Sequence, residues 1–210
     1  QPQAIPDLQA VRQMFDGYDT GVLMADDYVG QLFNKLVDLN IDSDMVIMLS
    51  SDHGETLGEL NVYGDHQTAD QITTRVPLLL RWPGIEQGNK ILDAFHYQID
   101  VSATILDLLG QRVPSNWDGR SFAQHLRQGQ DGQGQDGGRD YLVLSQAAWA
   151  CQRGVRFDDY MYIHTRHDAF HLYPDEMLFN VVADPHQRHN LSNSHAAVMS
   201  LARAHLANWF

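Results

Sequence analysis

Cysteine is almost missing. Cys151 is the only one in 210 residues, so no disulfide can form within the chain, and the redox state of its compartment stays open. Basic residues are scarce too: 14 Lys and Arg face 27 Asp and Glu, a formal net charge of −13. Binding to a nucleic-acid backbone needs a basic face, so nucleic acid is not expected as a partner. No apolar run approaches the ~20 residues that span a bilayer, and no membrane partner is expected. The opening Gln1-Pro2-Gln3-Ala4-Ile5-Pro6 lacks the basic-then-apolar pattern of a signal peptide. A leader could have been removed, so cytoplasm and periplasm both stay open. Apolar residues make up 43% of the chain, enough for one large domain or two small ones.

The apolar run Met45-Val46-Ile47-Met48-Leu49 leads straight into Ser50-Ser51-Asp52-His53-Gly54-Glu55. Such a run reads as a strand buried on both faces. Asp52 and His53 would follow its carboxyl end, the edge where open α/β sheets bind ligands. A buried carboxylate and imidazole are costly unless paired, and a divalent cation is a natural partner for both. Taken alone, Asp-His-Gly equally describes a capped turn beside a core histidine. Seven of the eleven histidines lie between His164 and His205. A polar pocket, a metal site or plain surface histidines would each account for that.

Pro6-Asp7 reads as a helix start. Val22, Ala25, Val29, Leu32, Leu36 and Leu39 then recur at three- and four-residue steps on one face. Gly17, Gly21 and Gly30 fall within this helix, each weakening it by roughly 1 kcal/mol relative to alanine. Close packing against a neighbour, or a break near Gly17, would explain them. Asn40 suits a left-handed cap. Residues 52–74 are polar and irregular, and a loop of that length is usually functional or disordered. Val76–Arg81 reads as a second buried strand and Asp100–Gly110 as a short helix. The stretch 128–138 is built from Gln, Gly and Asp and cannot bury apolar surface. Beyond it come three short strands, at 141–145, 154–157 and 160–164, with a hairpin turn at Arg156–Tyr160. A helix over 194–210 follows. Two core strands are too few for strands buried on both faces, so part of the first sheet is expected to lie outside this chain.

Several segments in order resemble the C-terminal half of a sulfatase, in the alkaline-phosphatase-like superfamily. They are Tyr18-Asp19, Asp27-Tyr28-Val29-Gly30, Ser51 to Glu59, Arg75 to Gly84, Ile99 to Gly110, Trp117 to Ser121, Leu178-Phe179-Asn180, Ala183-Asp184-Pro185-His186 and Asn190-Leu191. The resemblance implies an α/β fold: an incomplete alkaline-phosphatase-like sheet sandwiched by helices, plus a small antiparallel α+β C-terminal subdomain. The expected divisions are 1–127 for part of the catalytic domain, 128–139 for a flexible loop and 140–210 for the subdomain.

The same resemblance implies a hydrolase of sulfate esters, possibly on sugars, with Asp52 and His53 as ligands of one divalent metal. That metal is usually calcium in such proteins. Calcium prefers oxygen donors, so His53 leaves magnesium and zinc open. Most sulfatases carry a lysine nine residues before the arginine of Arg-Val-Pro. Counting back from Arg75 lands on His66, read as the catalytic replacement, touching sulfate oxygens or protonating the leaving alkoxide. His164, His167 and His171 lie in a segment that borders the substrate pocket in similar proteins, and Arg166 suits an anionic sugar.

The formylglycine motif, Cys or Ser-x-Pro or Ala-x-Arg, does not occur here. Cys151-Gln152-Arg153-Gly154-Val155 does not fit it, so no nucleophile is expected in this chain. The formylglycine is expected in an N-terminal half, which becomes the chain's partner beside a sulfated small molecule or carbohydrate. The chain alone is expected to be inactive. Two rivals remain: a phosphate or phosphonate ester hydrolase of the same superfamily with His66 as a third metal ligand, and a non-catalytic module that binds glycans or stabilises a partner.

Overall fold

The computed structural model describes residues 5–85, 91–128 and 138–209. The chain begins with α1 (Leu8–Asp38), one unbroken helix capped by Asp7, whose side chain accepts from the Ala10 amide at 2.9 Å. Asn40 takes the expected left-handed conformation just past its end, with φ of 54°. The helix buries no residue. Of the periodic apolar set only Val29 and Leu36 are half-buried, and Leu32 is 67% exposed. A Cβ at Gly17, Gly21 or Gly30 would meet nothing within 4 Å. Neither a break nor close packing therefore accounts for these glycines among the described residues.

Strands β1 (Ile47–Ser50) and β4 (Leu78–Arg81) pair antiparallel, Met48 opposite Leu80 and Leu49 opposite Leu79. The sequence led us to expect burial on both faces. Instead Leu49, Leu78 and Leu79 are exposed, because among the described residues this sheet has only two strands. Between them the irregular stretch folds into a small hairpin, β2 (Thr56–Leu57) and β3 (Tyr63–Asp65), and a one-turn helix α2 (Gln71–Thr74).

Helix α3 (Gln98–Leu108) starts two residues before the sequence-based expectation, because Asp100 accepts from the Tyr97 amide at 2.7 Å. Asp100 is fully buried, and it also accepts from the Arg120 amide and pairs with Arg139. Helix α4 (Ala123–Gln128) follows. The Gln-Gly-Asp loop expected at 128–139 falls largely outside the described residues.

The rest is a four-stranded antiparallel meander of β5 (Tyr141–Gln146), β6 (Cys151–Phe157), β7 (Tyr160–His167) and β8 (Glu176–Asn180), with α5 (Ala196–Ala207) packed on it. Period-2 alternation divides its side chains. Val143, Val155, Phe157, Tyr162 and Leu178 pack with Met199 and Ala202 of α5. Met161, Ile163, Met177, Phe179 and Val181 form the opposite face, against Leu60 and Tyr173. That second face carries the loop running from β2 to α2.

Candidate active site

Asp52 and His53 follow β1 directly, and their backbone is fixed from three directions. The Ser51 hydroxyl donates to the His53 carbonyl at 2.6 Å, and Gln98 of α3 donates to the Ser51 carbonyl at 2.6 Å. The Gly54 amide donates to the Thr73 carbonyl at 2.8 Å. Glycine is required there: a Cβ would lie 1.8 Å from the Ile72 carbonyl oxygen. His53 Nδ1 sits 2.9 Å from the Gly54 carbonyl oxygen, to which it donates. This leaves Nε2 bare, the tautomer a metal ligand requires. Asp52 Oδ2 lies 3.7 Å from that Nε2. Ligand atoms around one ion stand roughly 3–5 Å apart, so the two side chains converge as ligands of a shared cation would. Hydrogen bonds from the His53 and Asp52 amides hold the Asp52 carboxyl below the usual range. Asp52 is thus anionic at neutral pH.

His66 closes the group. Its ring stacks on His53 with centroids 3.7 Å apart. Its Nδ1 faces two carboxylates, Glu55 Oε2 at 3.4 Å and Asp65 Oδ1 at 3.7 Å. His53, Glu55 and His66 each offer a ligand atom within 4.8 Å of the others. Two imidazoles and a carboxylate, with Asp52 beside them, are a donor set suited to a divalent cation. The two nitrogens favour a transition metal over calcium. The sequence reading left Glu55 without a role, although it stands two residues after His53 in the same motif.

The four-stranded sheet holds this loop in place. Gln146 at the end of β5 donates to the His66 carbonyl at 2.6 Å, and buried Gln152 of β6 accepts from the Ala69 amide at 2.9 Å. Gly154 of β6 lets the loop approach, since a Cβ there would lie 2.9 Å from the Ala69 carbonyl oxygen. His171, beyond β7, lies 3.2 Å from Gln67 Oε1. Burial lowers its pKa, against the charges of Asp168 and Asp65, and favours the neutral ring.

The other expected residues are not gathered here. His164 and Arg166 project from β7 on the α5 side, where they line a concavity with Tyr162, Glu176 and Arg203. His53 and His66 belong to the loop on the opposite face. The separation follows from strand alternation: even-numbered residues of β7 face α5 and odd-numbered ones face the loop. His167 is exposed at the strand's end, its Nδ1 accepting from the Ala169 amide at 3.1 Å. His171 is the histidine of this segment that reaches the site loop. Cys151 opens β6 half-buried.

The sulfatase family model matches residues 2–111, more than half of the chain. A second model, N-sulphoglucosamine sulphohydrolase, C-terminal, matches residues 58–207. The chain belongs to the sulfatase family. Among its relatives, an ulvan-active sulfatase of Formosa agariphila is 26% identical over 90% of this chain and 37% of its own length. The multifunctional alkaline phosphatase superfamily protein PehA of Trinickia caryophylli is 30% identical over 89% of this chain and 38% of its own. A solved 2-O GAG sulfatase, 22% identical, superposes with a TM-score of 0.81 over 97% of this chain and 44% of its own, and shares the fold. The sulfatase chain thus spans about two fifths of the length of the curated relatives it matches.

Proposed function

We propose that this chain supplies the metal-binding and proton-handling part of a sulfate ester hydrolase acting on a sulfated sugar. The observation that carries the reading is the convergence at the end of β1: Asp52 Oδ2 stands 3.7 Å from His53 Nε2, and the His66 ring stacks on His53. Asp52 and His53 would hold one divalent cation, with the Glu55 carboxylate close to His53. That cation, when bound, neutralises ester oxygens as charge develops on them. His66 meets the leaving oxygen. Glu55 and Asp65 both flank its Nδ1 and fix the ring's orientation, so that Nε2 is the atom turned to the ester. The formylglycine nucleophile belongs to an N-terminal portion that packs on the exposed apolar face of α1 and on the β1–β4 pair. A sugar substrate is in keeping with the ulvan-active and GAG sulfatases among the similar proteins.

The second reading, a phosphate or phosphonate ester hydrolase, is favoured by the nitrogen-rich donor set and by the likeness to PehA. There His66 becomes a metal ligand. Calorimetric titration of the chain with calcium and with zinc tests both. One ion per chain, with affinity lowered at least tenfold by His53→Ala and by Asp52→Ala, and nearly unchanged by His66→Ala, is the expected result. Loss of zinc affinity in His66→Ala supports the second reading. Equal binding in all variants refutes the site. In the longer protein, aryl sulfate hydrolysis by wild type should exceed that of Asp52→Ala by at least a hundredfold.

A further inference from the structure

On the α5 face of the small sheet, Tyr162, His164, Arg166, Glu176, Arg203 and Leu206 surround an open concavity of about 320 Å³. Its acceptors are taken. Glu176 Oε1 accepts from the Tyr162 hydroxyl and from Arg203 Nε, and Oε2 accepts from Arg203 Nη2. The carbonyls of Ala204 and Leu206 at the end of α5 accept from the Asn208 amide, which blunts the negative end of that helix. The donors, in contrast, are left over. Arg203 Nη1 takes no part in the Glu176 pair. Exposed Arg166 makes no ion pair or hydrogen bond among the described residues. His164 is paired with Glu176 in the strand register and lines the same concavity. One carboxylate therefore faces two guanidiniums and an imidazole, a local positive excess in a chain of net charge −13. Leu206 and Ala207 add apolar surface, the pairing of planar cations and apolar wall that suits an anionic sugar.

We propose that this concavity is a second binding site, taking a sulfate or carboxylate group carried on a sugar, on the opposite face of the sheet from His53 and His66. The sugar rests on the sulfatase reading, whereas the anion rests on the donors alone. A long acidic glycan could then be held at two places by one subunit.

The test is a nuclear magnetic resonance titration of the chain with glucosamine 6-sulfate, with glucuronate and with sodium sulfate alone. Saturable shifts of the His164, Arg166, Leu206 and Ala207 amides are expected with the two sugars. Arg166→Gln, a neutral change at an exposed site, weakens them at least tenfold, and His66→Ala leaves them within twofold. Shifts confined to residues 52–73, or unaltered by Arg166→Gln, overturn the proposal. So does an equal response to sodium sulfate, which would mark a simple anion site. Because His66→Ala is scored separately, failure of the active-site reading leaves this result readable.

Discussion

Asp70 is a carboxyl with no exposed surface, placed where the site loop enters α2. Burial raises its pKa to about 6; the Thr73 hydrogen bonds oppose this and the Glu59 charge reinforces it. Between about pH 4 and 6 the folded chain keeps a proton there that the unfolded chain has lost. Stability therefore falls as pH rises through that window, and above it the penalty is complete, on the order of 3 kcal/mol. Asn in its place still accepts from the Thr73 amide and carries no charge. Asp70→Asn should therefore stabilise the chain at pH 8 by about 1–3 kcal/mol and flatten the urea midpoint between pH 4 and 6. An unchanged pH profile would show that Asp70 is not the group responsible.

Elements decide how the site is held, and Gly54 is the tightest junction. Adding a methyl group there drives it into the Ile72 carbonyl. Gly54→Ala should cost about 2–4 kcal/mol in urea unfolding and lower metal affinity by separating His53 from the α2 end of the loop. Much of this architecture was legible in the sequence. The start of α1 at Asp7, the left-handed Asn40, the hairpin at Asp158-Asp159 and the run from β1 into Asp52-His53 all follow from local chemistry. His66 came from its spacing to Arg75, by family resemblance. Legibility stopped where contacts are long-range. Nothing local says that Gln146 and Gln152 will hold a loop some eighty residues earlier in the chain. Nor does the run from His164 to His167 reveal which of its residues face α5. Strand β8 escaped notice because Glu176–Asn180 is short, has no β-branched residue and shows no period-2 alternation.

At the scale of the whole molecule, two properties oppose each other. An apolar stripe along α1 and the leucines of β1 and β4 lie open to solvent, which favours association. The net charge of −13 resists it. Salt screens the charge, with a Debye length near 10 Å at 0.1 M and about 3 Å at 1 M, and leaves the apolar term intact. Sedimentation should therefore find mainly monomer in dilute buffer and larger species as salt is added. The double change Leu23→Gln and Leu32→Gln, at residues 62% and 67% exposed, should suppress that shift without altering the circular dichroism. A different consequence follows from the buried bond between the Ala69 amide and Gln152. Its proton can trade with deuterium only when the loop lifts off the small sheet, so that single amide is a clock for how often the histidine pair comes undone.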